Sequence, residues 1–173
     1  PAMRSTGEVM GIDRAFPTAF AKSQAAAYGG MPTSGTVFLS VADDDKRAVI
    51  LPAHRLQELG FRLVATEGTA EILARNGIRV EVVGKYSETQ ASGERNVVDL
   101  INAGEIDMVV NTPSGGVARA DGYEIRAAAV AGDRALFTTM AVLGAAVSAL
   151  PVLREGFQVK SLQDYALERA GRR

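Results

Sequence analysis

From Gly35 onward, short apolar runs of strand length alternate with longer segments whose apolar residues recur at helical spacing. Five runs predict strands: Thr36–Val41, Arg62–Ala65, Ile78–Val83, Ile106–Val110 and Ala135–Phe137. Helices are expected over Arg47–Leu59, Thr69–Asn76, Asn96–Ala103, Asp121–Ala131 and Thr139–Leu150. Gly60, Gly77, Gly104 and Gly132 supply the stops for the first four, and Pro151 for the fifth. Ser161 caps a last amphipathic helix through Leu167. Before Gly35, residues 1–11 are polar and glycine-broken, without a period. A short helix comes next, with Pro17 in its first turn, Phe16 and Phe20 stacked at i,i+4, and Gly29-Gly30 at its end. Gly29–Gly35 is a linker by composition and the best candidate domain boundary.

Strands alternating with helices at intervals of roughly 20–30 residues predict an α/β fold with right-handed crossovers. The expected architecture is three-layer and Rossmann-like, with a five-stranded parallel sheet. Ligands of such sheets bind beyond the carboxyl ends of the strands. The residues after the five strands are Asp43-Asp44-Asp45-Lys46, Thr66-Glu67-Gly68-Thr69, Lys85, Asn111-Thr112-Pro113-Ser114-Gly115-Gly116 and Thr138-Thr139. Two lysines, several hydroxyls and two glycine-containing loops thus converge on one rim. Glycine lets backbone approach a phosphate, a helix start offers free N–H groups, and lysine supplies charge. The set predicts a site for a phosphate-bearing small molecule.

Each part also has a plainer explanation. Thr66 and Thr69 can serve as helix caps, a surface lysine is ordinarily only solvated, and Gly115-Gly116 can be a simple turn. Asp43–Asp45 is a solvated acid cluster favoured by a helix dipole rather than a metal site. His54, the only histidine, falls within a helix rather than at a strand end. No Ser-His-Asp set and no GxxxxGK[ST] loop can be assembled. The rim is equipped to hold an anion and poorly equipped to transform one.

Composition narrows the classes further. The chain has 173 residues and no cysteine, which excludes a disulfide scaffold, a cysteine metal site and a thiol nucleophile. Lys+Arg is 19 against 20 Asp+Glu, a formal net charge of −1. That leaves no global positive field for nucleic acid or an anionic membrane. The longest apolar candidate, Met140–Leu153, falls short of the roughly 18 residues a span requires. The first residues lack the basic-then-apolar pattern of a secretory signal, so a cytoplasmic setting is expected. The opening Pro1-Ala2, with Met3 internal, suggests a piece of a longer protein.

Together these motifs resemble the C-terminal end of the large subunit of bacterial carbamoyl-phosphate synthases. Met3–Gly11, with Ala15-Phe16 and Ala19-Phe20-Ala21-Lys22, is similar to the tail of that family's second ATP-grasp half, giving a unit over residues 1–30 with a linker to 35. The remainder, 35–173, resembles its methylglyoxal-synthase-like allosteric domain. Leu39-Ser40-Val41, Asp45-Lys46, Gly60-Phe61, Ala65–Ala70, Asn102–Glu105 and Asn111–Gly115 carry that match.

The resemblance implies a parent ligase that makes carbamoyl phosphate from glutamine, bicarbonate and ATP, with Mg or Mn, for pyrimidine and arginine biosynthesis. This end would be regulatory, with no catalytic residue, metal or cofactor of its own. It would bind UMP as inhibitor and IMP as activator. Its partners would be the rest of the large subunit, the glutaminase small subunit and further copies of itself. The match assigns the phosphate to Lys46, Thr66, Gly68, Thr69 and Lys85, and the ribose or base to Asn111, Pro113, Ser114 and Asp121. Thr138 falls at the position contributing to the ornithine site. Pro113 departs from the threonine frequent at that place and removes a hydroxyl and an N–H. The rival readings are a stand-alone methylglyoxal synthase and a non-catalytic assembly module. The former would need an aspartate in the loop that here runs Ser114–Arg119, and that loop holds no acid.

Overall fold

All five apolar runs form strands, and all pair in parallel in the order β3-β2-β1-β4-β5. The computed structural model describes residues 8–28, 30–84, 95–113 and 118–170. The strands are β1 (Thr36–Ser40), β2 (Arg62–Ala65), β3 (Glu81–Val82), β4 (Met108–Asn111) and β5 (Ala135–Phe137). The helices are α1 (Phe16–Tyr28), α2 (Ile50–Glu58), α3 (Glu67–Arg75), α4 (Val97–Asn102), α5 (Ala118–Ala131), α6 (Met140–Glu155) and α7 (Leu162–Ala170).

Strand side chains alternate between faces, and here both faces are apolar. Val37, Leu39, Leu63, Ala65, Met108, Val110 and Phe137 point into one core with residues of α1, α2, α3 and α6. Phe38, Val64 and Val109 point the other way, against Val97 and Ile101 of α4 and Ile125, Ala128 and Ala129 of α5. This is the expected three-layer arrangement, and burial of both faces explains why the strands read as continuous apolar runs. The helix preceding the linker joins the larger core: Ala21 of α1 and Met31 are both buried in it.

The chain runs from β1 outward to β2 and β3, then returns to place β4 on the other side of β1. The connection direction therefore reverses between β1 and β4. A crevice opens at such a switch point, beyond the carboxyl ends of the strands.

Three expectations need correction. The third strand is only Glu81–Val82: Ile78 is buried in the turn after α3, while Val82 is largely exposed on an edge strand with one neighbour. Pro151 does not stop α6, which continues to Glu155 and ends at Gly156 (φ 84°). Val152 and Leu153 pack on the core, and the Arg154 guanidinium reaches Thr33 O and Leu59 O, so tertiary contacts carry the helix past its missing N–H. Finally, Asp43–Asp45 forms a single 3₁₀ turn ahead of α2, and the left-handed residue after α5 is Asp133 (φ 52°) rather than Gly132.

The first described residues fasten to α7. The Lys22 ammonium donates to Asp13 Oδ2 (2.7 Å), Ile12 O (3.2 Å) and Tyr165 Oη (2.8 Å), and Tyr165 Oη donates to Ile12 O (3.0 Å). The Lys22 hydrogen bond, with help from the Ala15 and Arg14 amides and against a desolvation cost, holds the Asp13 carboxyl at about 2, below its ordinary 3.8. Burial works to lower the Lys22 ammonium, but its bonds to Asp13 and Tyr165 prevail and leave it raised. A carboxyl depressed in the folded state stabilises above its unfolded value and loses that contribution as pH falls through the folded one. The fastening is therefore expected to weaken between pH about 4 and about 2. Amide exchange of residues 12–22 followed across that window should show the loss, and Asp13→Asn should abolish the step.

Candidate functional site

Five polar side chains are buried among the described residues. One, Asn96, is explained by the capping box it forms with Asp99 at the start of α4. The other four, Thr66, Thr69, Asn111 and Thr112, gather at the carboxyl ends of β2 and β4, beside the end of β1. Buried polar groups must find partners, and these find them in the backbone leaving β1 and in the Ser40 hydroxyl at its end. Thr69 Oγ1 accepts from Val41 N (3.2 Å), and Thr112 Oγ1 accepts from Ala42 N (2.8 Å). Asn111 Nδ2 donates to Ser40 O at 3.4 Å, and Thr66 Oγ1 donates to Ser40 Oγ at 3.3 Å. Thr66 occupies the N-cap position of α3 but makes no side-chain cap bond. Its hydroxyl is directed across the strand ends instead, so the capping explanation does not account for it.

Lys46 comes directly after the 3₁₀ turn and pairs with Asp43 at 2.7 Å. Its hydrogen bond holds the Asp43 carboxyl below the usual range. A Cβ at residue 68 would lie 3.2 Å from the Lys46 ammonium. Gly68 is thus the residue over which Lys46 lies, in the first turn of α3. It sits in ordinary helical conformation, so its role is room for a neighbour and not a left-handed backbone. An ammonium, two buried hydroxyls and the N–H end of a nine-residue helix share one place.

On the β4 side, Asn111 Oδ1 accepts from Arg126 Nη1 at 2.6 Å. Asp121 lies in the first turn of α5, and Pro113 is exposed just after β4. Thr138 is exposed at the end of β5, the far edge of the sheet, where Thr139 caps α6 by accepting from Val142 N. Lys85 and Ser114 lie outside the described residues. Of the residues expected from sequence, Lys46, Thr66, Gly68, Thr69 and Asn111 meet around the switch point, and Thr138 stands apart from them. Thr112 was expected on the rim as part of the run after β4, whereas Ser40, Gly122 and Arg126 join the site without having been assigned to it. Ser40 was hidden inside an apolar run. Gly122 and Arg126 lie within α5, away from the strand ends, and no sequence motif marks them. His54 lies on the surface of α2, 3.5 Å from Glu58. Among the described residues no group of acids and histidines is arranged to hold a metal, and no helix is long and apolar enough to cross a membrane.

Fold and site together define a three-layer α/β domain with buried polar side chains gathered at its topological switch point. The chain belongs to the MGS-like domain family, whose model matches residues 48–138, just over half of it. Over its full length it is similar to the carbamoyl phosphate synthase large chain of Clavibacter michiganensis subsp. michiganensis (strain NCPPB 382), at 67% identity across 100% of this chain. It spans 16% of that relative's length. Among solved structures, ForH superimposes with a TM-score of 0.53 at 22% identity, over 70% of this chain and 80% of the other. The methylglyoxal synthase of Elizabethkingia anophelis NUHP1 superimposes with a TM-score of 0.52 at 16% identity, over 79% and 92%. At these identities the two structures bear on fold alone.

Proposed function

We propose that this chain is the effector-binding, regulatory part of a carbamoyl phosphate synthase large chain. The site would take nucleoside monophosphates, UMP as inhibitor and IMP as activator, at one place. The observation that carries the reading is the Lys46 ammonium lying across Gly68, next to the buried hydroxyls of Thr66 and Thr69 at the start of α3. A phosphate there gains a charge-assisted hydrogen bond of about 1.5–3 kcal/mol and up to about 2 kcal/mol from the helix end. Lys85 would add a second cation and Ser114 a hydroxyl. Asn111 and Asp121 would meet the ribose or base, where Pro113 supplies neither a hydroxyl nor an N–H. Thr138, at a separate strand end, would contribute to an ornithine response.

Synthesis of carbamoyl phosphate from glutamine, bicarbonate and ATP, with its Mg or Mn, would belong to the rest of a cytoplasmic large chain and its glutaminase partner. The 67% identity to a chain of that name supports this context. The test is calorimetric titration of the 173-residue chain with UMP, then with IMP in the presence of UMP. One saturable, mutually competitive site is expected, with no methylglyoxal formed from dihydroxyacetone phosphate. Silence toward both nucleotides would overturn the reading, and methylglyoxal formation would favour a stand-alone synthase.

A further inference from the structure

We infer that Arg126 is a positioning residue of this site, fixing Asn111 so that it meets the effector as a hydrogen-bond donor. The inference rests on the nucleotide reading and adds to it a rule of selection: the effector group facing Asn111 must be a hydrogen-bond acceptor.

The chemistry of the pair fixes its orientation. Guanidinium has donors and no acceptor. The Asn111 atom 2.6 Å from Arg126 Nη1 is therefore the carbonyl oxygen, and the side-chain N–H₂ is turned toward the carboxyl end of β1. An amide's orientation is ordinarily open to a flip; beside an arginine it is dictated. The N–H₂ group then has Ser40 O at 3.4 Å, a long contact for an amide that is only 4% exposed. A buried donor this weakly used gains by meeting a better acceptor.

Gly122 leaves room for the contact. A Cβ there would fall 2.7 Å from Arg126 Nη1 and 3.3 Å from Asn111 Oδ1. A side chain one turn ahead of Arg126 would press on the guanidinium where it lies back along α5 to Asn111, and the flexible arginine would shift away from it. Gly68 and Lys46 repeat the device on α3. The two helices that start beyond β2 and β4 thus each use a glycine near their start to seat a cation.

This separates Arg126 from an arginine that merely supports the fold. Gly122→Ala keeps every charge and hydrogen-bonding group and replaces glycine with the best helix former. Its melting temperature is expected to stay near wild type, because the helix gain offsets much of the lost Arg126–Asn111 bond, while UMP affinity falls about three- to tenfold, the worth of one hydrogen bond. Arg126→Met should give a similar loss in wild type and none when added to Asn111→Ala, and Arg126→Lys should recover part of it. UMP calorimetry and a thermal melt on each variant of the 173-residue chain read all of this. Wild-type affinity in both Gly122→Ala and Arg126→Met would overturn the positioning role. A full loss from Arg126→Met on top of Asn111→Ala would overturn it too, by making Arg126 a direct ligand contact. No UMP binding by wild type would instead remove the nucleotide reading on which the inference rests.

Discussion

Gly68→Val is expected to lower UMP affinity about a hundredfold, the upper range for loss of a charge-assisted contact, while the thermal melt stays near wild type. Gly68 is exposed, so the new side chain meets no core residue, and valine is no worse than glycine inside a helix. The side chain it does meet is Lys46: the Cβ alone would stand 3.2 Å from the ammonium, and the methyl groups reach further into its place. Lysine is displaced, and the N–H groups at the start of α3 are screened. A titration paired with a melt checks both halves. If stability collapses with affinity, Gly68 serves the fold; if affinity survives, the phosphate is bound elsewhere.

The largest stability effect should come from Phe38→Ala, at about 3–5 kcal/mol. Phe38 is fully buried in the middle of the central strand, on the face covered by α4 and α5, among Val64, Val109, Ile101 and Ile125. Secondary elements close over it from both neighbouring strands, so the cavity has little freedom to collapse. Against a total stability of about 5–15 kcal/mol, such a loss moves the urea midpoint far without altering the slope. A loss below about 1 kcal/mol would mean that this layer is not packed as described.

The sheet was legible because its three inner strands are buried on both faces, so strand length and apolar continuity coincide in β1, β2 and β4. The signal weakened where neighbours decide instead of sequence. Ile78, Val80 and Val82 alternate like a strand, yet the edge position gives them one neighbour, and only two residues pair. Pro151 is a valid local stop that is overruled by Val152, Leu153 and Arg154 docking on distant parts of the chain. At the site, Lys46, Thr66, Thr69 and Asn111 were findable because a parallel sheet gathers on one rim the residues that leave its strands. Arg126 was not, since it stands well inside α5 and reaches the rim through the gap at Gly122. Thr66 and Thr69 looked equally like caps. Only the geometry shows the Thr66 hydroxyl turned toward Ser40 and the Thr69 hydroxyl toward the Val41 amide.

The fastening of Lys22 to Tyr165 also has a consequence for how the protein is made. These two residues are 143 positions apart, and α1 finds its main packing partner, α6, almost as late. At about 5–20 residues per second, Lys22 leaves the ribosome roughly seven to thirty seconds before Tyr165 does. Throughout that interval α1 carries its apolar stripe, Phe20 and Ala21 included, with nothing to cover it. The sheet from β1 to β4 can assemble meanwhile, because each of its strands pairs with one already synthesised. Docking of α1 is therefore a closing event, and a ribosome-bound nascent chain arrested before α6 should present that stripe to chaperones while its central strands are already protected.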